Sequence, residues 1–105
     1  MMKTDDFDIS KEKTPDGAKF TLKGRLNSIN ADLLESYMEE ALKGGEVHII
    51  LNMLWVEYLS SAGIRVIIKT YKDAKNAGGS FEIEKPSQSV RNVLGMTALD
   101  QMLIK

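Results

Sequence analysis

Residues 47–64 read VHIILNMLWVEYLSSAGI and contain both a predicted strand and the start of a predicted helix. Its first five residues form a short apolar run rich in β-branched side chains, which predicts a central strand buried on both faces. From Asn52 to Tyr58 no regular period is visible, and we expect an irregular connection. The two serines that follow precede apolar residues at helical spacing, which predicts a helix ended by the glycines 78 and 79. The apolar positions of this helix are Ile64, Ile67, Ile68, Tyr71 and Ala74.

The segment before this stretch predicts a β-hairpin. Apolar and polar residues alternate over residues 7–9 and again over residues 18–22, as in strands with one buried face. Residues 14–17, TPDG, separate the two and are typical of a turn, in which we expect Gly17 to adopt a positive φ. A loop is expected over residues 24–30.

Three further elements complete the chain. Apolar residues at i, i+3, i+4 and i+7 over residues 31–42 predict an amphipathic helix capped by Asn30 and ended by two glycines. Residues 81–84 alternate as a strand with one solvated face. Ser87 is expected to cap a third helix that Gly95 closes. Residues 102–104 are expected to form a terminal strand or a tail.

The predicted order is therefore β-β-α-β-α-β-α with a short end piece. A hairpin followed by βαβ units implies a mixed sheet packed by helices. The expected fold class is α/β, with four to five strands and helices mainly on one face. No linker or internal repeat divides residues 1–105, so we expect a single domain.

The composition excludes several classes of function. Fourteen basic and fifteen acidic residues give a net charge of −1, which argues against direct binding of nucleic acid or of an anionic membrane. Zero cysteines and the single histidine, His48, exclude disulfides, thiolate zinc sites and sites with two imidazoles. The chain carries no GxxxxGK[ST] or GxGxxG motif. We therefore expect a protein that is not an enzyme and that holds no metal or cofactor.

The N-terminal segment and the apolar runs bear on location. Residues 1–6, MMKTDD, are polar and acidic and lead into no apolar segment of the kind that signal peptides carry. The longest apolar runs are about five residues, far short of the roughly 20 residues that span a bilayer. We expect a cytoplasmic protein.

The serine pair at residues 60 and 61 has two interpretations. A serine before a helix most often acts as its N-cap, accepting a hydrogen bond from a free backbone N–H. The same position also suits a phosphate group, since a helix N-terminus carries about half a positive charge. A phosphate would add roughly −1.5 to −2 charge without unfolding the domain, but it would repel a partner docked over that helix end.

At these residues the chain resembles the STAS domain of bacterial anti-sigma-factor antagonists. That family carries a stretch similar to hydrophobic-[DN]-L-S-x-V-x-[FY]-[IM]-D-S-[SA]-G-[LI], matched here by residues 51–64. Its G-x-[LI]-[DN] motif is matched by residues 24–27, and its helix ending in two glycines by residues 74–79. The resemblance covers nearly the whole chain, with the three pieces in the same order.

The resemblance implies a phosphorylation-switched partner protein without catalysis of its own. Such an antagonist binds an anti-sigma factor, often an ATP-dependent serine kinase, and so releases a sigma factor for transcription. The kinase phosphorylates the antagonist and breaks the complex, and a metal-dependent serine phosphatase restores it. The phosphorylated residue maps to Ser61, with Ser60 as the alternate. The implied partner-binding residues are Asn27, Ser60, Ala62, Gly63 and Ile64.

Three positions depart from the family pattern. Asn27, Asn52 and Ser60 stand where the family often has aspartate. Each change removes negative charge while keeping hydrogen-bonding groups. A less acidic surface would repel a phosphate on Ser61 less, and it would equally weaken a partner that recognises those acids through Arg or Lys.

Two other functions remain as alternatives. The first is a constitutive STAS binding or scaffold module without a phosphorylation cycle, as in a signalling or lipid-transport assembly. The second is a small phosphocarrier or hydrolase that uses His48 or Ser61, although a nucleophile needs a nearby base. We interpret His48 as a structural strand residue and Tyr58 as a core residue, and leave Trp55 open between a partner anchor and a sheet-edge cap.

Overall fold

The alternating apolar residues of the first quarter of the chain form antiparallel strands, as expected. The computed structural model describes residues 2–4 and 6–104; residues 1, 5 and 105, which belong to the predicted N-terminal segment and domain, lie outside the described residues. Strand β1 spans Met2–Thr4, β2 spans Phe7–Thr14 and β3 spans Gly17–Leu26. The β2–β3 hairpin is confirmed, and β1 is an additional strand paired antiparallel with β2.

Gly17 serves a different purpose from the one predicted. It lies in β3 and is not among the residues with a positive φ. Its Cα instead passes so close to the neighbouring strand that a Cβ there would lie 1.8 Å from the carbonyl oxygen of His48. The glycine therefore permits close approach of two strands.

The remaining elements alternate between helices and strands. Helix α1 spans Ser28–Lys43, β4 spans His48–Leu59, α2 spans Ser61–Asn76 and β5 spans Ser80–Glu84. Helix α3 spans Gln88–Met96, so it runs one residue past Gly95, and a short α4 spans Asp100–Leu103. The predicted tail is thus mostly helical, and Ile104 forms a single parallel bridge with Ile83.

The five strands form one mixed sheet in the order β1-β2-β3-β4-β5, antiparallel up to β3 and parallel from β3 to β5. The connections β3-α1-β4 and β4-α2-β5 both step in the same direction, so crossovers of the usual hand place α1 and α2 on one face of the sheet. Two edge-to-face ring pairs mark this face: Phe20 against Tyr37 of α1, and Phe81 against Tyr71 of α2. The predicted α/β class, with helices on one face, is confirmed.

Strand β4 differs most from expectation. The predicted irregular connection is a continuation of the strand, which reaches Leu59. Two register shifts against β3 change which side chains face the helices. The buried residues of β4 are Ile49, Leu51, Met53, Val56 and Leu59, first two and then three residues apart. The prediction of burial on both faces is also wrong, because the alternate residues His48, Ile50 and Asn52 are only partly buried.

The core lies between the sheet and the helices. It is built from alternate residues of the strands and from one stripe of each of the three longer helices, α1 to α3. Its largest fully buried side chains include Phe20, Leu22, Leu34, Met38, Leu51, Ile67 and Ile83. None of the helices in the described part of the chain is long and apolar enough to cross a membrane.

Candidate docking site at the ends of β3 and β4

The two parallel strands β3 and β4 end side by side, and a helix begins directly after each. Leu26 and Leu59, the last residues of these strands, are paired in the register. The residue that follows each strand is the N-cap of a helix: Asn27 caps α1 and Ser60 caps α2. Leu26 and Ser60, which are 34 residues apart in the sequence, are thereby brought into hydrogen-bond contact.

Ser60 is the N-cap of α2, and its polar groups are engaged. Its Oγ accepts a hydrogen bond from the backbone N–H of Gly63 at 3.1 Å and donates one to the carbonyl oxygen of Leu26 at 2.9 Å. The backbone N–H of Ser60 donates to the same oxygen at 3.0 Å. Ser60 therefore joins the start of α2 to the end of β3.

Ser61 occupies the first residue of α2, and its side chain is exposed. Because Ser60 provides the cap, the hydroxyl of Ser61 is not needed to satisfy the helix N-terminus. Of the two serines, the structure presents Ser61 to solvent and leaves Ser60 half-buried in the junction.

The other predicted site residues differ in accessibility. Ala62 is half-buried beside a groove between α1 and α2, and Ile64 is half-buried against the core. Gly63 is buried, and a Cβ on it would lie 2.9 Å from both Leu26 Cγ and Leu59 Cδ1. Gly63 thus lets α2 pack directly on the ends of both strands, which fixes where Ser61 sits.

The first helix has a different cap from the one predicted. Asn27, not Asn30, is the N-cap, and its Oδ1 accepts a hydrogen bond from the Asn30 backbone N–H at 2.9 Å. Asn30 is only 2% exposed, and its side-chain Nδ2 donates to Arg25 O at 2.8 Å and to Asp6 Oδ1 at 3.0 Å. Periodicity missed this buried amide, because an asparagine near a helix start is equally typical of a cap.

The first turns of α1 and α2 contain no acidic residue that would offset the partial positive charge of these helix termini. The carboxylate of Asp6, from the segment before β2, reaches the start of α1 through its hydrogen bond with Asn30. Two turns along α2, Lys69 Nζ lies 3.1 Å from Asp73 Oδ2 and 3.3 Å from Glu39 Oε2. The hydrogen bond to Asp73 is the main cause that raises the pKa of Lys69.

Of two further positions that the sequence analysis named, Asn52 lies away from this site and Tyr58 lies beside it. Asn52 is in the middle of β4, paired with Thr21 and Glu84, and it lies seven residues before Leu59, roughly 23 Å along the strand. Tyr58 is 41% exposed, so its interpretation as a core residue is wrong. The guanidinium group of Arg25 lies over the Tyr58 ring, with its Cζ 4.5 Å from the ring centroid.

His48 lies far from the candidate docking site. His48 begins β4, at the opposite end of this strand from Ser61, so the two do not share a site. Its Nδ1 lies 2.9 Å from Ser80 Oγ and its Nε2 lies 3.8 Å from Asp16 Oδ2. Within residues 2–4 and 6–104, no group of three or more His, Cys, Asp or Glu side chains is placed to hold a metal ion.

Comparison with known proteins relates this chain to the STAS domain family. The model of the STAS domain matches residues 8–105. BtrV of Bordetella bronchiseptica, provisionally named an anti-sigma factor antagonist, is 32% identical over 72 residues, which cover 69% of this chain and 62% of BtrV. A Thermotoga maritima protein with the same provisional name is 33% identical over 79 residues, covering 74% of this chain and 70% of that protein. The matched segment thus spans less than two thirds of the length of BtrV.

Solved structures agree on the fold. The anti-sigma factor antagonist SpoIIAA in its unphosphorylated form has a TM-score of 0.82 at 18% identity, over 92% of this chain and 86% of SpoIIAA. The phosphorylated form of SpoIIAA has a TM-score of 0.76. A crystal structure from Thermotoga maritima, again of a provisionally named anti-sigma factor antagonist, has a TM-score of 0.79 at 27% identity, over 91% of this chain and 83% of that one.

Proposed function

The chain belongs to the STAS domain family, and from this membership we propose that it is an anti-sigma-factor antagonist switched by phosphorylation of Ser61. Unphosphorylated, it binds an anti-sigma factor through the ends of β3 and β4 and the starts of α1 and α2. This binding releases a sigma factor for transcription. The relatives named as anti-sigma factor antagonists support the class of function.

The exposed position of Ser61 at the first residue of α2 carries the proposal. A kinase needs a hydroxyl that it can reach, and Ser61 is exposed whereas Ser60 is half-buried and doubly hydrogen-bonded. Phosphorylation of Ser60 would cost the hydrogen bond to Leu26 O, because the phosphoester oxygen has no proton to donate. Phosphorylation of Ser61 leaves the cap of α2 in place. We therefore assign Ser61 as the acceptor and Ser60 as the structural serine.

The switch then follows from electrostatics. A phosphate on Ser61 adds roughly −1.5 to −2 charge and three acceptor oxygens. The first turn of α2 carries no carboxylate to repel it, and the free N–H groups of the helix start favour it. The domain therefore keeps its fold, while a partner packed against this end must desolvate the phosphate or dissociate.

The neighbouring residues shape the docking surface in different ways. Asn27, Ala62 and Ile64 are partly accessible and can contact a partner directly. Gly63 is buried and does not contact a partner itself; its lack of a side chain lets α2 pack close to Leu26 and Leu59. The neutral side chains of Asn27 and Ser60 favour a partner whose contact surface is not strongly basic.

The partner is an anti-sigma factor of the serine-kinase type, and a metal-dependent serine phosphatase returns the chain to its binding form. The chain itself supplies only the acceptor hydroxyl, so nucleotide and magnesium belong to the kinase. This cycle would take place in the cytoplasm, where the sigma factor acts.

A pull-down from native cell extract tests the proposal. The baits are the wild-type chain, Ser61→Ala, Ser61→Glu and the control Gln88→Glu, which places the same charge on the exposed first residue of α3 behind its serine cap. We expect a kinase-fold protein on the wild type, on Ser61→Ala and on the control, but not on Ser61→Glu. Incubation of the complex with ATP and mass spectrometry should then locate the phosphate on Ser61.

Other outcomes would point elsewhere. A partner held equally by all four baits would indicate a constitutive adaptor and overturn the switch. A phosphate mapped to Ser60 would overturn the assignment of the acceptor. Phosphate turnover by the purified chain alone would contradict the absence of catalysis.

A further inference from the structure

The face of the sheet that the helices leave uncovered, here called the open face, carries its side chains in one column per strand, and the column on β2 includes Asp8 and Glu12, which pair with Lys23 and Lys19. The columns follow from the register: Lys19 pairs with Ile50 and Ile50 with Glu82, Lys23 pairs with Trp55, and Arg25 with Tyr58. Strand β3 contributes a basic column, β4 an apolar and aromatic column, and β5 an acidic column. Their charged and apolar members are Lys19, Lys23 and Arg25; Ile50, Trp55 and Tyr58; and Glu82 and Glu84. The polar residues Thr21 on β3 and His48 and Asn52 on β4 lie in the same columns.

The middle column is unusually accessible for large apolar side chains. Trp55 is 58% exposed, and Tyr58 lies beside it with Arg25 stacked on its ring. Tryptophan, tyrosine and arginine are the side chains most enriched at the energetic centres of protein interfaces. A flat sheet face that presents all three suits a protein partner.

The charges beside this column are only partly satisfied within the chain. Lys19 reaches across β4 to Glu84, with Nζ 3.0 Å from Oε2, so the basic and acidic columns attract each other even in one copy. Lys23 and Glu82 form no ion pair with any residue in the described ranges. Each copy therefore presents a free cation on one side of β4 and a free carboxylate on the other.

We propose that the open face is the interface between two copies of this chain, related by a two-fold axis parallel to β4. Rotation about this axis keeps each residue at its height along the strand and exchanges the two sides of β4. The basic column of one copy then lies over the acidic column of the partner, and the reverse contact forms at the same time. The apolar columns meet at the axis, where Trp55 of each copy is buried.

The dimensions of packed sheets fit this arrangement. Neighbouring strands lie about 5 Å apart and packed sheets about 10 Å apart, so long lysine and glutamate side chains can meet across the interface. At equal height, Lys19 of one copy faces Glu82 of the partner. Glu84 of the partner is level with Thr21, so Lys23 lies two residues, about 7 Å, further along the strand. The net charge of −1 per chain adds little repulsion between copies.

A second copy fits better than an acidic peptide or a nucleic acid. Either of those would match Lys23 and Arg25 but would meet Glu82 and Glu84 on the same face. Only a surface with the opposite order of charges complements both columns, and the chain's own open face has this order after the rotation. The inference goes beyond the proposed function and does not depend on Ser61.

Self-association of the purified full chain tests the proposal. Sedimentation velocity from micromolar to millimolar concentration should show the mass doubling, with weaker association at high salt. Trp55 is the single tryptophan, so its emission should shift to the blue as the dimer forms. Trp55→Ala should abolish the dimer, whereas Met96→Ala, at a more exposed apolar side chain on α3, should not.

A charge exchange tests the two-fold axis itself. Lys19→Glu and Glu82→Lys should each weaken the dimer about tenfold or more, because each change places like charges together twice. Mixing the two variants should restore association as a heterodimer, since both contacts then join opposite charges. Thermal melting of each variant alone confirms that it is folded.

Three results would overturn the proposal. The first is a wild-type chain that stays monomeric at every concentration. The second is a mixture of charge variants that fails to associate although the wild type does, which would place the interface elsewhere. The third is quenching of Trp55 in a monomeric chain by single-stranded poly(U) or by poly-glutamate, which would assign the open face to a different ligand.

Discussion

The backbone N–H and the side-chain hydroxyl of Ser60 both donate hydrogen bonds to one atom, the carbonyl oxygen of Leu26, at 3.0 and 2.9 Å. The same hydroxyl accepts from the backbone N–H of Gly63. One side chain thereby caps α2 and ties it to the end of β3. The adjacent Ser61 is exposed and takes no part in this junction.

Ser60→Ala should therefore destabilise the domain where Ser61→Ala does not. Loss of a serine N-cap costs about 0.5–2 kcal/mol, and the carbonyl of Leu26 would also lose one of its donors. Exposed substitutions away from such contacts stay within about 0.5 kcal/mol. Urea unfolding of both variants measures the difference. Equal stability of the two would contradict the assignment of Ser60 as the structural serine.

Ser61→Glu should leave the fold intact and slightly stabilise it. A carboxylate in the first turn of a helix contributes about 0.3–1 kcal/mol at low ionic strength, and α2 has no acid there. The gain should fall as salt screens the charge, and Gln88→Glu on α3 should behave in the same way. Destabilisation by more than about 1 kcal/mol would show that Ser61 makes internal contacts, and it would remove the physical basis of the switch.

Gly63→Ala and Gly95→Ala should shift stability in opposite directions. At Gly63 the new methyl group would lie 2.9 Å from Leu26 and Leu59 side chains, and overpacking of this kind costs about 1–3 kcal/mol. At Gly95, also within a helix, nothing lies within 4 Å of the added Cβ, so alanine should stabilise α3 by up to about 1 kcal/mol. Thermal melts of the two variants measure the direction of each change in stability. A Gly63→Ala variant as stable as the wild type would mean that α2 can move away from the strands.

Much of the fold could be predicted from the sequence because its periods are clear. The hairpin, α1, α2 and the Ser87 cap follow from alternation, from helical spacing and from a serine before an apolar run. The length of β4 could not be predicted, because two register shifts separate its buried residues by three instead of two. The same shifts turn Tyr58 outward, which no apolar pattern indicates.

The candidate site shows a similar limit. The motif resemblance marks residues 24–27 and 59–64 as parts of the site. These two segments must lie side by side once β3 and β4 are parallel neighbours. The separate roles of the two serines, however, depend on which hydroxyl faces Leu26. Sequence alone likewise cannot tell which of Asn27 and Asn30 is the N-cap and which is buried, because asparagine is a good cap at either position.

Asn30→Ala should be the most damaging polar substitution at this end of the sheet. Its side-chain amide donates to Asp6 and to the Arg25 carbonyl from a buried position, and each hydrogen bond lost costs about 0.5–1.5 kcal/mol. Asn92→Ala removes an exposed amide from α3, which accepts from Gln88, and should stay within about 0.5 kcal/mol. Urea unfolding compares the two. Asn30→Ala keeps the backbone N–H that Asn27 caps, so a wild-type stability would mean that this cap, and not the buried side-chain amide, holds the start of α1.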